Sequence, residues 1–273
     1  MNNNIQDIVS LALKEDIGTG DVSASLLEEG NVTAKIKVRE SAVICGIEYA
    51  SAVFNNIDES LLIDWHVIDG ADVNNDQVIC TITGSSKSII SSERVALNFI
   101  QTLSSTATMT SRLVGKISHT NARLLDTRKT IPGLRLAQKY AVKCGGGVNH
   151  RMGLYDCIMI KENHILKIGS IKEAVKIASS KYPNLPLILE VEDLIQVDEA
   201  LSTTGIDRIL CDNFNNDMLL SAVETAKNII PIEASGNINE SNIVSIAETG
   251  VDYISIGSIT KNISAIDMSL RFC

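Results

Sequence analysis

The chain has 273 residues, 45% of them hydrophobic, enough for one large core or for a large domain carrying a smaller one. Its apolar runs, such as residues 157–160 and 185–189, fall far short of the roughly 20 residues needed to cross a bilayer, and its start lacks the basic and apolar segments of a signal peptide. The net charge of -9 argues weakly against nucleic acid or an anionic membrane as a partner, so a folded, cytoplasmic, enzyme-sized protein is expected.

In chain order, Ile5, Ile8, Val9, Ala12 and Leu13 follow helical spacing, and Gly18-Thr19-Gly20-Asp21 should end that helix. Ala34, Ile36 and Val38 then alternate with Lys35, Lys37 and Arg39 as in a half-buried strand, and further strand-like stretches at 61–68 and 78–82 complete a small α+β domain. A long helical pattern runs from Ser91 to about Ile117, with Ser91 and Ser92 as cap candidates, and reads as a bridge between domains. Beyond Ala122 six short apolar strands are expected, at 123–126, 157–161, 187–190, 208–212, 231–234 and 253–256. Amphipathic helices separate them, marked by Pro132, a Ser170-x-x-Glu173 capping box, and stops at Gly145, Gly205 and Gly250. The final stretch, 266–272, alternates like an edge strand that packs back on the small domain. The expected division is 1–118, 119–260 and a tail at 261–273.

Six strand–helix units imply a parallel sheet. Each expected strand ends in a chemically useful residue: Asp126 to Lys129, Lys161, Glu190, Asp212, Ser235-Gly236-Asn237 and Ile256-Gly257-Ser258. Strand ends converge on one face of a β/α barrel, so an α/β fold with an incomplete, TIM-like barrel is preferred over a doubly wound open sheet. The charge distribution points the same way. Between Arg123 and Lys167 lie nine Lys/Arg against three acids, so this segment is +6 and the remainder -15.

Arginine forms paired hydrogen bonds with carboxylates, so Arg128, Lys129, Arg151 and Lys161 facing one cavity suit a small ligand with more than one carboxylate. Arg135, Lys139 and Lys143 share an expected helix and read as solvated charges or ion pairs. Gly145-Gly146-Gly147 is neither a dinucleotide nor a Walker loop, but it leads into Asn149-His150-Arg151 and allows close backbone approach to a ligand. Glu190 and Asp212 could serve acid/base work, hold Mg²⁺ through its waters, or form salt bridges to Lys161 or Lys129. The loops after the last two strands, with a helix starting at Asn239 or Glu240, are placed like a barrel phosphate site. The six cysteines are widely spaced and read as reduced thiols, and four scattered histidines give no metal-ligand spacing. The residues thus imply an enzyme that handles a phosphorylated sugar beside a small polyanion.

Several motifs occur in order over nearly the whole chain: Glu15 to Asp21, Glu93 to Asn98, Asp126 to Arg135, Lys143 to Leu154, Ile160 to His164, Leu189 to Glu192, Cys211 to Phe214 and Glu233 to Asn237. This series resembles that of the quinolinate phosphoribosyltransferases. The resemblance implies a two-domain type II phosphoribosyltransferase, an α/β sandwich plus an irregular barrel, forming homodimers with shared active sites and with assembly beyond the dimer left open. It implies transfer of a phosphoribosyl group from phosphoribosyl pyrophosphate to quinolinate with decarboxylation, giving nicotinate mononucleotide for NAD synthesis with Mg²⁺ as cofactor. On that pattern Arg94 of a neighbouring subunit joins Thr127, Arg128, Lys129, His150, Arg151 and Lys161 around quinolinate. Glu190, rather than Glu192, and Asp212 face the ribose and Mg²⁺, and Ser235, Gly236, Asn237, Ile256, Gly257 and Ser258 bind phosphate. Asn237 departs from the pattern, since many relatives have glycine there. The alternatives are a transferase for nicotinate or another base, a Schiff-base aldolase using Lys161, and a catalytically silent pyridine sensor.

Overall fold

The computed structural model describes residues 3–227 and 229–273. The chain forms two compact units. The first comprises the residues up to Ser111 together with Tyr140–Gly145 and Asn262–Cys273, and the second comprises Arg112–Lys139 and Gly146–Lys261.

In the first unit helix α1 (Asn3–Ile17) packs on α2 (Ile47–Ile57) through the stripe of Ile5, Val9 and Leu13. Four strands, β1 (Asn31–Val38), β3 (Leu62–Trp65), β5 (Val78–Ser85) and β12 (Met268–Phe272), make an antiparallel sheet in the order β12-β1-β5-β3. Ala34, Ile36 and Val38 of β1 are fully buried, as their alternation requires. The tail strand β12 pairs with β1 from Ala34↔Phe272 to Val38↔Met268. Short β2 (Ala42–Val43) and β4 (Asp72–Val73) pair separately.

Helix α3 (Ser86–Lys116) starts five residues before the position expected from sequence. Ser91 and Ser92 do not cap it. The Ser91 hydroxyl donates to Asp21 (2.9 Å), and that of Ser92 donates back to the Ser88 carbonyl (2.7 Å), so both sit inside the helix. The boundary between the two units falls within α3, at Ser111. Gly145, at the end of α4 (Arg135–Cys144), packs against this helix, because a Cβ there would collide with the Ala107 carbonyl and Thr110. Its close approach is therefore to protein backbone rather than to a ligand. Gly146 takes the left-handed conformation that turns the chain (φ 84°).

The second unit is built on six parallel strands: β6 (Arg123–Leu125), β7 (Ile158–Ile160), β8 (Leu187–Val191), β9 (Arg208–Asp212), β10 (Ile232–Ser235) and β11 (Tyr253–Ser255). They are hydrogen-bonded in the order β6-β11-β10-β9-β8-β7. This is a cyclic sequence order with one missing pairing, β6 with β7, and it has no switch point of the doubly wound kind. The barrel is thus TIM-like and open. Between β6 and β7 the chain carries α4 and then a stub at Val148, which bridges parallel to Leu125.

Helices α5 (Glu162–Ile168), α6 (Ile171–Lys181), α7 (Leu194–Leu201), α8 (Asn216–Ala226), α9 (Ile243–Ala247) and α10 (Ser258–Lys261) follow the strands. Side-chain caps start three of them: Ser170 accepts from the Glu173 amide (3.2 Å), Asp193 from Gln196 (2.8 Å) and Asn215 from Met218 (2.9 Å). The helix expected to begin at Asn239 or Glu240 begins at Ile243. Asn239 and Asn242 instead bond to each other through the Asn239 amide and the Asn242 side chain, which holds a turn open before it.

Candidate active site

At the C-terminal ends of the second unit's strands lies a cavity of about 350 Å³. Nine of the residues singled out from sequence line it. Thr127, Arg128 and Lys129 follow β6, His150 and Arg151 follow the Val148 stub, and Lys161, Glu190, Asp212 and Ser235 end or follow β7, β8, β9 and β10. Strand alternation explains four further lining residues that sequence reasoning passed over: Met159, Leu210, Glu233 and Ser255. Each sits two residues before a position already chosen (Lys161, Asp212, Ser235 and Gly257), and residues two apart on a strand share a face.

The cations in the cavity are not equivalent. Lys161 Nζ is paired with Glu190, whose side chain is 12% exposed. That contact engages the side-chain nitrogen and argues against its use as a Schiff-base nucleophile. Arg128 and Lys129 are exposed and have no side-chain partner among the described residues. Arg151 donates to the Cys157 carbonyl (3.1 Å) and contacts Met159 sulfur (3.5 Å). Burial, and then the neighbouring Arg128 charge, pull its pKa below the ordinary guanidinium value, so a ligand anion placed between the two arginines is favoured. Glu192 lies past the end of β8 and is exposed, so Glu190 is the acid that faces the cavity. Asp212 accepts from the Asn213 side chain (2.7 Å) at one oxygen.

Arg135 and Lys139 are both structural, Lys139 through an ion pair, one of the two readings its helix position allowed. Lys139 is fully buried and pairs with equally buried Asp126, while also donating to the His150 carbonyl (3.0 Å). Burial pushes the Asp126 carboxyl up and the Lys139 ammonium down, and their mutual contact opposes both effects. Asp126 also accepts the His150 amide (2.9 Å) and the Asn149 side-chain nitrogen (2.8 Å) in the orientation that matches donors to acceptors. Arg135 is half-buried. Its guanidinium donates to Thr130 Oγ1 (3.2 Å) and to the carbonyls of Met152 and Arg128 (3.3 Å each), tying together the loops that carry Arg128 and Arg151. Lys143 is exposed, as its helix position implies.

The expected phosphate residues surround the cavity unequally. Ser235 lines it. Gly236 and Asn237 take consecutive left-handed conformations (φ 92° and 52°), and a Cβ at Gly236 would collide with Asn213. Asparagine tolerates this region better than other side chains, and Asn237 is further held by a bond from its nitrogen to Asn213 Oδ1 (3.0 Å). Gly257 packs against Lys129 and Thr127, where a Cβ would lie 2.9 Å from Lys129 Cδ. Ile256 differs from its expected role: its side chain is buried and its amide donates to the Leu125 carbonyl (3.0 Å), which leaves neither for a phosphate. Ser258 opens α10. Arg94 lies on α3 in the first unit.

The N-terminal domain of the quinolinate phosphoribosyl transferases matches residues 7–104, and their C-terminal domain matches residues 106–271. The chain belongs to the quinolinate phosphoribosyl transferase family. It is 39% identical to the chloroplastic nicotinate-nucleotide pyrophosphorylase [carboxylating] of Oryza sativa subsp. japonica, over 98% of this chain and 77% of the rice protein. It is 40% identical to the probable enzyme of that name from Bacillus subtilis (strain 168), over 94% and 89%. Among solved structures, the nicotinate-nucleotide pyrophosphorylase from Francisella tularensis superposes with a TM-score of 0.98 at 45% identity, over 100% of this chain and 97% of that one.

Within this quinolinate phosphoribosyl transferase, Glu190 and Asp212 beside an anion pocket fit Mg²⁺, which favours one or two carboxylates and completes its shell with water and substrate phosphate oxygens. Among the described residues no group of three or more His, Cys, Asp or Glu forms a ready metal cage. No helix among them is long and apolar enough to cross a membrane.

Proposed function

We propose that this family member transfers the phosphoribosyl group of phosphoribosyl pyrophosphate to quinolinate and decarboxylates the product to nicotinate mononucleotide, in de novo NAD synthesis. The observation that carries this reading is the convergence of two arginines, two lysines and the carboxylates of Glu190 and Asp212, from four strand ends and one loop, on a single cavity. Arg128 and Arg151 each offer a carboxylate paired hydrogen bonds, and quinolinate has two carboxylates to fill them. Nicotinate has one, and would leave a cation unpaired.

In this reading Thr127, Lys129, His150 and Lys161 complete the quinolinate side, and Glu190 and Asp212 take the ribose side with its hydroxyls. Backbone amides at Gly236, Asn237, Gly257 and Ser258, with Ser235, receive the phosphate. The pyridine nitrogen attacks ribose C1 as the bond to pyrophosphate breaks. The bond to the carboxyl next to that nitrogen then breaks, carbon dioxide leaves, the electron pair stays on the ring carbon beside the pyridinium nitrogen that stabilises it, and that carbon takes up a proton from solvent. Mg²⁺, held through Glu190 and Asp212, would neutralise charge on pyrophosphate oxygens. The side chains act by positioning and electrostatics, and no protein nucleophile is needed.

The reading includes a homodimer that shares its sites, with Arg94 supplied by the second subunit. An apolar groove of about 670 Å³ supports this. It exposes Leu154, Tyr155, Ile177 and Tyr182 and shares Arg128, Arg151 and Lys161 with the cavity, so a covering partner would border the clamp. It also includes a cytoplasmic location, for which the six unpaired cysteines speak.

Purified protein given quinolinate, phosphoribosyl pyrophosphate and Mg²⁺ should yield nicotinate mononucleotide and carbon dioxide in equal amounts. Turnover of nicotinate but not quinolinate would refute the substrate assignment. Mixed Arg94→Ala and Lys161→Ala subunits should regain activity in heterodimers, and failure with subunit exchange confirmed would refute the shared site.

A further inference from the structure

Glu233 is the one acid in the cavity that neither substrate accounts for. Its carboxylate is fully buried at the floor of an anion-binding pocket, where it would repel quinolinate unless its charge were engaged elsewhere. Oε2 accepts from Arg208 Nη1 (2.8 Å), and the Arg208 guanidinium lies 4.0 Å above the Tyr253 ring. Oε1 faces His150 Nε2 at 3.4 Å, close enough for contact but not aligned as a hydrogen bond, so this oxygen has no hydrogen-bond partner.

The other side of the imidazole decides its protonation. The Arg151 amide donates to His150 Nδ1 at 2.7 Å, so Nδ1 must present a lone pair and the ring proton sits on Nε2, toward Glu233. The His150 backbone is held on both sides as well, its amide by Asp126 and its carbonyl by Lys139. Every polar group of His150 is thereby directed at protein, and the ring side chain is only 7% exposed.

We propose that Glu233, supported by Arg208, is a positioning residue that holds His150 as a neutral imidazole protonated at Nε2 and through it fixes the backbone of Arg151. On this assignment His150 presents the pocket with a neutral ring, and the cationic work of the clamp falls to Arg128, Lys129 and Arg151. The long contact at Oε1 would shorten when ligand presses the ring toward the floor, as hydrogen bonds at empty sites commonly do.

This inference rests on the reading of Arg151 as a quinolinate ligand, and the test separates the two. The first measurement needs no variant and no substrate: ¹⁵N spectra of the full-length protein with labelled histidine, at neutral pH, should show His150 as the neutral Nε2–H tautomer. A doubly protonated ring or an Nδ1–H ring would overturn the proposal, whatever the enzyme turns over. The second measurement is kinetic. Glu233→Gln should raise the KM for quinolinate about tenfold while leaving that for phosphoribosyl pyrophosphate within about twofold, because the loss is of one fixed backbone contact. In an Arg151→Lys background the same change should have little further effect. Additive losses, or equal losses for both substrates, would show that Glu233 acts only on general structure. If Glu233→Gln does not fold, Arg208→Lys is to give the same split.

Discussion

Replacing Arg135 by lysine keeps a positive charge on α4 but removes the planar fork that reaches Thr130, Met152 and Arg128 together. A lysine can reach at most one or two of these acceptors from the same backbone position. The three bonds are long, at 3.2 to 3.3 Å, so each belongs near the lower end of the usual range of about 0.5–1.5 kcal/mol. Losing two of them should release the loops carrying Arg128 and Arg151 by roughly 1–2 kcal/mol, which corresponds to about a five- to thirtyfold loss of quinolinate affinity. Titration calorimetry with quinolinate at fixed salt would measure it, with Lys143→Gln as the control because that side chain is exposed on the same helix. Arg135→Lys binding quinolinate as tightly as the parent would refute the brace, and so would an equal loss in the Lys143 variant.

Arg128→Lys and Arg151→Lys should each weaken quinolinate binding roughly ten- to hundredfold, the cost of one broken charge-assisted fork, and unchanged binding in both would remove the clamp. Lys139→Met leaves Asp126 buried without its cation, so urea unfolding at neutral pH should show a loss of about 3–5 kcal/mol, partly recovered by adding Asp126→Asn. A loss below about 1 kcal/mol would mean that the pair is dispensable. Asp156 accepts the amides of Met152 (2.7 Å) and Gly153 (3.0 Å); partial burial raises its carboxyl, but these donors outweigh that and hold it below the usual value. A depressed folded pKa stabilises above the unfolded value of about 3.9 and is lost as pH falls through the folded one, so the exchange protection of the Met152 and Gly153 amides, relative to their intrinsic rates, should fall below about pH 4. Protection that stays constant through that range, or that changes equally in Asp156→Asn, would contradict this.

The cavity was legible because strand ends are local signals. Lys161 follows an apolar run directly, and Glu190, Asp212 and Ser235 end theirs, so position in the sequence alone placed them on one face. Glu233 was equally within reach by counting back two from Ser235, yet a carboxylate inside a strand next to an expected cation site reads as a packing residue until its partners are known. Arg135 and Lys139 were left open between solvated charge and ion pair for a different reason. Helical periodicity separates polar from apolar positions, but it cannot distinguish a solvated charge from one whose partner lies on another element: Asp126 is on the far side of the loop that precedes α4. Ser91 and Ser92 misled in the same way, since a serine suits a helix start and also an interior position where its hydroxyl can bond the preceding turn. For Ile256, the parallel pairing that takes its amide depends on β11 lying beside β6, a contact between strands far apart in sequence.

The concentration of positive charge and the gap in the barrel have a common origin in the β6–β7 connection. In a closed barrel β6 and β7 would pair, and the chain between them would be an ordinary outer crossover. Here the two strands are the edges of the sheet, and the intervening chain carries Arg128, Lys129, Arg135, Lys139, His150 and Arg151, much of the segment that is +6 in a protein of net charge -9. The Val148 stub fills part of the gap by bridging to Leu125, which brings His150 and Arg151 to the level of the strand ends. Such an insertion needs its own fixings, because it lacks the ladder of hydrogen bonds that holds a strand. Asp126 with Lys139, Glu233 with His150, and Arg135 supply them. Those residues therefore neutralise one another or bind backbone, while Arg128, Lys129 and Arg151 keep charge available for a ligand. A change that closed the sheet by pairing β6 with β7 would remove the clamp even if every lining residue were kept.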